Sequence, residues 1–251
     1  MTYWQPSIYE QNQLLKYGLE VADLAKVQPM PVEYLTGRVT FAGLDIKVTP
    51  DVLIPRVETE ELLPMIAAFL GQKKINYLEV ATGSGALTAA VLSRHQQQLA
   101  NWWVSDISSK ALVVARENLS AIYQDGDLDQ HLLSSDLLSQ FLDKKIDLLV
   151  ANLPYLPAAT MANLPASVRD FEPHLALAGG IDGFVLINDL LGQVKQREIL
   201  DEVGVILLEV DETHGLDFLR THYPWIIDYF QVEAIKDQFG RQRFLRLAKS
   251  A

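Results

Sequence analysis

The sequence predicts an α/β fold, organised as a doubly wound and mostly parallel β-sheet. From about residue 75 onward, short apolar runs alternate with longer amphipathic ones, which is the order of strands and helices in such a sheet. Two further apolar runs near the C-terminus flank a polar turn and predict a closing antiparallel hairpin. With 251 residues, 49% of them hydrophobic, the chain can bury one large core.

A separate region precedes the predicted sheet. The first 30 residues predict a short helical segment, interpreted as one amphipathic helix, because leucines recur at helical spacing. Pro29 and Pro31 end this pattern and mark a boundary. The alternating segment RVTFAGLDIKV then predicts a β-hairpin over residues 38–48. We therefore expect a helical N-terminal region, residues 1–30, and one domain over residues 31–251.

Within that domain, the apolar runs predict the individual elements. Predicted strands cover residues 76–80, 102–105, 146–151 and 203–210. Predicted helices cover residues 86–97, 109–122 and 183–198. The closing hairpin is predicted from strands over residues 225–233 and 241–248.

Composition and charge exclude several classes of function. The net charge of -11 disfavours non-specific binding to nucleic acid. The absence of cysteine excludes disulfides, zinc–thiolate sites and cysteine nucleophiles. The histidines lack metal-ligand spacing, so no metal is expected. Because we find neither a signal peptide nor an apolar segment of ~18 residues, we expect a cytoplasmic protein without membrane contact.

The segment LEVATGSGALT, residues 78–88, ends the first strand of the sheet and begins a helix, which is where open α/β sheets bind ligands. Gly83 and Gly85 let a ligand approach the backbone. The phosphate-binding pattern GxxxxGK[ST] is absent, and Thr88 replaces the third small residue of the dinucleotide fingerprint. S-Adenosylmethionine carries no phosphate, and its cationic groups suit the acidic Glu79.

Asp106 ends the next predicted strand, about 20 residues after Gly85. At this spacing an acidic side chain can accept hydrogen bonds from ribose hydroxyls. In a purely structural alternative, the glycines form a tight turn and Asp106 caps the following helix. Because Gly83, Gly85 and Asp106 lie in register at the ends of consecutive strands, the sequence favours nucleoside binding.

The segment VANLPYLP, residues 150–157, ends another strand at the same edge. An amide nitrogen is a poor nucleophile, so a site must hold its N–H groups and direct its lone pair at the methyl donor. The Asn152 side-chain carbonyl and the Leu153 backbone carbonyl could accept those N–H groups. Pro154 restricts Leu153 to an extended conformation, and Tyr155 could flank the planar group. The alternative is a strand that simply ends in a turn.

Together these segments resemble the N(5)-glutamine methyltransferases that modify bacterial peptide-chain release factors. The matching stretches run in family order from about residue 31 to the C-terminus and read PVEYLTGRVTFAGLDIKV, VLIPRVETEELL, LEVATGSGA, SDISSKALVVARENL, SSDLL, ANLPYL, DFEPHLALAGGIDG and DQFGRQRF. The resemblance implies a seven-stranded, Rossmann-like fold of the class I S-adenosylmethionine-dependent methyltransferase type. It also implies methyl transfer from S-adenosylmethionine to a glutamine amide in a protein, a peptide chain release factor. We expect the chain to act as a monomer.

The resemblance further implies roles for individual residues. The implied catalytic residues are Asn152, Leu153, Pro154 and Tyr155. The implied cofactor-binding residues are Glu79, Ala81, Thr82, Gly83, Ser84, Gly85, Asp106, Ile107, Asp136, Leu137 and Asn152. The implied substrate-binding residues are Arg56, Glu58, Thr59 and Glu172.

Two other functions stay open from the sequence. The Asn-x-Pro-Tyr motif suits the amino group of adenine equally well, although the acidic charge argues against a nucleic-acid substrate. A module that binds S-adenosylmethionine without turnover is the second alternative. It is supported by a short N-terminal region, by Leu153 in place of a proline, and by Ala81 in place of a glycine. Glu79 also replaces the aspartate that is usual in the family.

Overall fold

The computed structural model describes residues 5–27, 29–71, 73–141 and 144–250. In this part of the chain the helices are α1 (Ile8–Lys16), α2 (Val21–Lys26), α3 (Val32–Thr36), α4 (Leu62–Leu70), α5 (Ala86–His95), α6 (Ser109–Ser120), α7 (Ala166–Arg169), α8 (Val185–Arg197), α9 (Leu216–His222) and α10 (Pro224–Tyr229). The strands are β1 (Arg38–Phe41), β2 (Leu44–Lys47), β3 (Ile75–Val80), β4 (Leu99–Asp106), β5 (Leu132–Ser134), β6 (Ile146–Ala151), β7 (Leu200–Glu209), β8 (Phe230–Lys236) and β9 (Gln242–Lys249). Residues 1–4 and 28 of the predicted N-terminal region, and residues 72, 142, 143 and 251 of the predicted domain, lie outside the described residues.

Seven strands form one sheet in the order β5-β4-β3-β6-β7-β9-β8. The first five of these strands are parallel to one another. Strand β9 runs antiparallel to both β7 and β8. The strand order reverses between β3 and β6, because the chain builds outward from β3 to β5 and then returns to the other side of β3. The predicted doubly wound, mostly parallel sheet of seven strands is confirmed.

The register of the sheet brings several strand ends to one edge. Ser105 of β4 and Ala151 of β6 both pair with Val80 of β3, and Leu208 of β7 pairs with Ala151. The residues that come next in the chain therefore lie together at the carboxyl edge. This edge includes the reversal in strand order, which is where open α/β sheets bind ligands.

The central strands are covered on both faces. In β3 and in β6, all residues except the second are buried. One face of the sheet packs against a core that includes Tyr77 and the hairpin residue Phe41. The other face packs against a core that includes Phe184 and Leu190. Burial on both faces explains why these strands read as continuous apolar runs rather than as alternating patterns.

The predicted hairpin is confirmed as β1 and β2. Its turn residues Ala42 and Gly43 both have positive φ, 50° and 82°, as a two-residue turn of the I′ type requires. The Asn118 side chain on α6 accepts a hydrogen bond from Lys47 N at 2.8 Å and donates to Lys47 O at 2.9 Å. The same amide donates to Ser84 O at 2.8 Å. A side chain thus pairs with the outer edge of β2 and connects it to the loop after β3.

The prediction of one helix over the first 30 residues was wrong. The structure has two helices here, α1 and α2, separated by a turn in which Gly18 adopts φ 71°. A left-handed residue ends a helix, and glycine adopts this conformation without steric cost. The leucines that suggested one helix instead belong to both: Leu14 of α1 and Leu24 of α2 pack with Val32 in a small separate cluster.

The C-terminal prediction was wrong at residues 225–229, which form α10 rather than a strand. Pro224 occupies the first turn of this helix, where the missing N–H has no cost. Strand β8 begins only at Phe230. A short apolar run does not distinguish a helical turn from a strand.

Within the described ranges, no helix is both long and apolar enough to cross a membrane.

Candidate active site

A cleft of about 1160 Å³, its solvent-open mouth included, lies at the carboxyl edge of β3, β4 and β6. Among the predicted site residues, its lining includes Arg56, Thr59, Glu79, Ala81, Thr82, Gly83, Ser84, Asp106, Ile107, Asp136, Leu137, Asn152, Leu153 and Pro154. Glu58, Gly85, Tyr155 and Glu172 are not part of the lining. The structure therefore brings most of the predicted cofactor and substrate residues to one cleft, while their roles stay predictions.

The loop after β3 contains two glycines with different surroundings. Gly85 has φ 76°, and a Cβ there would lie 3.1 Å from the Cβ of Ala115 on α6. Gly85 is therefore needed where α5 approaches α6, not at the cleft. Gly83 lines the cleft with φ 55°, and Ala81 lines it with φ 58° although it is not a glycine. A left-handed alanine costs about 1–2 kcal/mol, so this loop carries backbone strain at its first residue.

The Asp106 carboxylate connects the ends of β3 and β4. It accepts hydrogen bonds from Gly83 N and from Ser108 N, each at 2.9 Å. Burial raises the pKa of this carboxyl, and the backbone donors oppose that rise. Each carboxylate oxygen can accept further bonds, so Asp106 can hold the loop and still serve a ligand in the cleft. The structural and the ligand-binding interpretations are therefore compatible.

Glu79 lies buried at the base of the same loop. Its Oε2 accepts hydrogen bonds from Thr88 N at 3.1 Å and from the Thr88 hydroxyl. Burial raises the pKa of Glu79 to about 7, against the stabilising hydrogen bonds of Thr88. The Thr82 hydroxyl lies near enough to Glu79 to favour its charged form, yet it is buried without a partner at hydrogen-bonding distance among the described residues.

Three further predicted cofactor residues, Ile107, Asp136 and Leu137, follow β4 and β5 at the cleft. Ile107 is 54% exposed although it is apolar. Asp136 is exposed, and Leu137 is buried with φ 49°. Both follow β5, the outermost parallel strand. An exposed apolar side chain beside a cleft is a surface that a planar ligand can cover.

The Asn152 side chain belongs to a chain of hydrogen bonds that connects the ends of β6 and β7 through Thr59, which precedes α4. Asn152 Nδ2 donates to Thr59 Oγ1 at 3.2 Å, and Thr59 Oγ1 donates to Glu209 Oε2 at 2.7 Å. The Tyr155 hydroxyl donates to Glu209 Oε1 at 3.1 Å. Sequence reasoning missed Glu209. The signal was present, since Glu209 is the last residue of an apolar strand, as Asp106 is, and Asn152 directly follows another.

Glu209 is an acid held inside the protein, with 1% of its surface exposed. Burial raises the pKa of this carboxyl, whereas its hydrogen bonds from Thr59 and Tyr155 and the charge of Arg243 lower it. Burial lowers the pKa of Arg243, but the charges of Tyr155 and Glu209 raise it by more. A guanidinium and two hydroxyl donors thus compensate one buried carboxylate.

A second buried acid, Glu172, fastens the segment before α4 to the loop after β6. Arg56 Nη2 donates to both carboxylate oxygens of Glu172, at 2.6 and 2.7 Å. The Glu172 side chain is 1% exposed and that of Arg56 is 33% exposed. Burial raises the pKa of Glu172, and Arg56 opposes the rise. The two residues, both predicted to bind substrate, are thus paired with each other.

Glu58, also predicted to bind substrate, faces away from the cleft lining. Its carboxylate lies 3.7 Å from Arg241 in the turn between β8 and β9.

The Asn-Leu-Pro-Tyr motif after β6 packs closely against the turn that contains Gly183. A Cβ on Gly183 would lie 2.2 Å from Tyr155 O. Only glycine permits that approach.

In the described part of the chain, no three acidic or histidine side chains are grouped to hold a metal.

Comparisons with known proteins identify the family. Residues 59–167 match the family described as methyltransferase small domain. A release factor glutamine methyltransferase from Moorella thermoacetica is 38% identical over 217 residues, which span 85% of this chain and 73% of that protein. The corresponding protein of Streptococcus pneumoniae is 32% identical over 220 residues, 86% of this chain and 74% of that protein.

A solved structure supports the fold. Ribosomal protein L11 methylase from Lactobacillus delbrueckii subsp. bulgaricus superposes with a TM-score of 0.51 and 22% identity, covering 78% of this chain and 81% of that one. This likeness concerns the fold alone. Together with the sequence relatives, it leads to one conclusion: the chain belongs to the release factor glutamine methyltransferase family and has the Rossmann-like fold of class I methyltransferases.

Proposed function

We propose that this chain transfers a methyl group from S-adenosylmethionine to the side-chain amide nitrogen of a glutamine in a peptide chain release factor. The observation that carries the proposal is the placement of Asn152, which lines the cleft while its Nδ2 is bound to Thr59. That arrangement leaves the Asn152 carbonyl oxygen available to a substrate N–H. The relatives are named for this activity, which favours a protein amide over the amino group of adenine.

The residues after β3 and β4 fit S-adenosylmethionine. Glu79 offers a carboxylate to the ammonium group, and Asp106 offers acceptors to ribose hydroxyls. Thr82 adds a buried hydroxyl without a partner among the described residues. At Gly83 a Cβ would meet no atom within 4 Å, so the loop has open space there. When bound, S-adenosylmethionine supplies an electrophilic methyl group on a cationic sulfur.

Asn152 and Leu153 orient the substrate amide. Asn152 Oδ1 accepts one N–H, and the Leu153 backbone carbonyl accepts the other. Pro154 restricts the direction of that carbonyl, because the residue before a proline is extended. Holding both N–H groups directs the nitrogen lone pair at the methyl donor. As the new N–C bond forms, the bond between the methyl group and sulfur breaks, and S-adenosylhomocysteine is the product. The amide nitrogen releases one proton, which leaves through the solvent-open mouth of the cleft.

Tyr155 has a different role in this proposal from the one that the sequence predicts. It does not line the cleft, and its hydroxyl is engaged with Glu209. We assign Tyr155 to holding the motif in place rather than to flanking the substrate amide. The proposal also includes action as a monomer, with residues 1–30 as a short helical region beside a catalytic domain over residues 31–251.

The test uses the purified chain, methyl-labelled S-adenosylmethionine and purified bacterial release factors, followed by peptide mass spectrometry. We expect one added methyl group on one glutamine of the release factor. Binding of S-adenosylmethionine without transfer to any release factor would overturn the proposal. Transfer to RNA or DNA added in parallel, and not to protein, would overturn it in favour of a nucleic-acid substrate.

A further inference from the structure

The buried Glu209 carboxylate joins three residues that are far apart in the chain. Thr59 precedes α4, Tyr155 follows β6, and Glu209 ends β7. Thr59 reaches one oxygen of the carboxylate and Tyr155 reaches the other, at 2.7 and 3.1 Å. The reaction as proposed above gives Glu209 no contact with substrate or cofactor, since it is not part of the cleft lining. Its burial therefore needs another explanation.

The explanation lies in the direction of the hydrogen bonds. An ionised carboxylate only accepts, so Thr59 must donate its single hydroxyl proton to Glu209. The Thr59 oxygen can then only accept from Asn152. The Asn152 amide has donors on nitrogen and acceptors on oxygen, so its Nδ2 must turn toward Thr59 and its Oδ1 must turn away. The charge on Glu209 thus decides which end of the Asn152 amide is presented to a ligand.

We propose that Glu209 is a positioning residue that acts through Thr59 to hold Asn152 with its Oδ1 presented to the substrate N–H. The inference rests on the proposed function and deepens it. Without an acceptor-only group at position 209, the Thr59 proton can turn toward Asn152, and the amide can rotate to present Nδ2 instead. A donor facing the substrate NH2 group repels it, so the reacting nitrogen is no longer held.

Tyr155 and Arg243 complete the arrangement. The Tyr155 hydroxyl occupies the second carboxylate oxygen, so Glu209 itself cannot rotate without breaking a bond. Burial raises the pKa of Glu209, whereas the hydrogen bonds from Thr59 and Tyr155 and the positive charge of Arg243 favour its ionised form. The same carboxylate therefore fixes both ends of the Asn-Leu-Pro-Tyr motif, through Thr59 at Asn152 and directly at Tyr155.

The first test compares the Glu209→Gln, Thr59→Val and Thr59→Ser variants in the release-factor assay. Loss of correct positioning should lower kcat by about 100-fold in E209Q and T59V, with binding of S-adenosylmethionine unchanged. T59S keeps the hydroxyl and should retain kcat close to that of the wild type. Because both residues act through one chain of bonds, the E209Q/T59V double variant should be no slower than either single variant.

A matched control and a second readout separate positioning from folding. Glu202 lies exposed at the opposite end of β7, so E202Q should leave kcat unchanged. NMR of the cofactor-free protein should locate the Asn152 side-chain NH2 signals by their loss in Asn152→Asp. We expect these signals to shift in E209Q and T59V but not in E202Q or T59S. If E209Q does not fold, the comparison of T59V with T59S still tests the inference, because only T59V should lose kcat and shift the Asn152 signals.

The outcomes distinguish the inference from the function on which it rests. A wild-type chain that does not methylate a release factor defeats the proposed function, while the NMR comparison still reports on Asn152. An active wild type with E209Q or T59V within about threefold of its kcat defeats the inference alone. Unshifted Asn152 signals in E209Q, or a double variant in which the two losses multiply, would also defeat it.

Discussion

The two sides of the cleft are built by different means. On the cofactor side, backbone N–H groups hold the carboxylate of Asp106: Ser108 N lies two residues away in the chain and Gly83 N 23 residues away. On the amide side, side chains hold side chains across long stretches of sequence. Asn152 and Thr59 are 93 residues apart, and Thr59 and Glu209 are 150 apart. The first side depends on the neighbouring strands β3 and β4 and the loops that follow them, whereas the second depends on contacts between segments that are far apart in the chain.

This difference decides how each side responds to substitution. Backbone donors survive most side-chain changes, so the cofactor side should lose affinity in modest steps. A chain of side-chain bonds fails as a unit when one member is removed, because each member orients the next. We therefore expect substitutions on the amide side to reduce turnover strongly, and substitutions on the cofactor side to change binding and stability by smaller amounts.

The largest effect should come from Asn152→Ala. This change removes the acceptor for the substrate N–H and leaves the β3 loop intact, so kcat should fall about 1000-fold while the Kd for S-adenosylmethionine stays within about threefold. Single-turnover kinetics and calorimetry measure the two quantities. Asn163→Ala, at an exposed position in the same loop region, is the control and should match the wild type. Equal loss of affinity and turnover would remove the distinction between the two sides.

The next effect concerns stability on the amide side. Arg56→Ala leaves the buried Glu172 carboxylate unpaired, which should lower the free energy of unfolding by about 3 kcal/mol at neutral pH. Chemical denaturation measures the change. The deficit should shrink as the pH falls, because a carboxyl without its cation takes up a proton more readily. The R56A/E172Q double variant leaves no unpaired charge at this site and should regain part of the loss. A double variant as unstable as R56A would contradict this account.

A smaller effect is expected on the cofactor side from the pH dependence of binding. Burial raises the pKa of Glu79 to about 7, and the ammonium group of the cofactor prefers the ionised form. Affinity should therefore weaken by about tenfold between pH 8 and pH 6, as Glu79 takes up its proton. The Glu79→Gln variant should bind S-adenosylmethionine more weakly than the wild type, and its affinity should lack the part of the pH dependence that comes from Glu79. Subtracting its pH profile from that of the wild type also removes the titration of the cofactor itself. Identical profiles would exclude Glu79 as the ammonium partner.

The smallest effect is a gain in stability from Ala81→Gly. Relief of the left-handed strain, less the entropy that glycine loses on folding, should raise the free energy of unfolding by about 0.5–1 kcal/mol. Ala42→Gly relieves a similar φ of 50° in the hairpin turn, away from the cleft lining, and should give a similar gain. Cofactor affinity should change only in A81G. A loss of stability in both variants would mean that neither alanine is strained.

The two sides also differ in how far the sequence predicts them. The loop after β3 and Asp106 could be predicted because a strand, a glycine loop and the next strand follow one another at regular spacing. Thr59 was named only through the family resemblance, and its partner Glu209 was not named at all. No local pattern reports that two residues 150 positions apart will meet. Such contacts appear only when the strand order is known.

The errors in the secondary-structure prediction have a related cause. At Gly18 a single left-handed residue divides what the leucine spacing presents as one helix. At residues 225–229 an apolar run forms a helix because Pro224 begins one and Ile226 packs into the core. In both places the local pattern included core residues, such as Leu14 and Ile226, but it did not show the path of the backbone, and Leu15 of the same leucine pattern is 79% exposed. Apolar residue types indicate which side chains can be buried, whereas a few turn residues and the packing of the core determine the path of the backbone.

The amide of Asn118 gives the hairpin a property that its two strands lack by themselves. A two-stranded ribbon has outer edges with free N–H and C=O groups, to which a third strand from another molecule can add. At Lys47 those groups are already bound by the Asn118 side chain. Helix α6 thus blocks strand addition at this position of the β2 edge. Because the same amide donates to Ser84 O, one side chain both covers the strand edge at Lys47 and supports the cofactor loop.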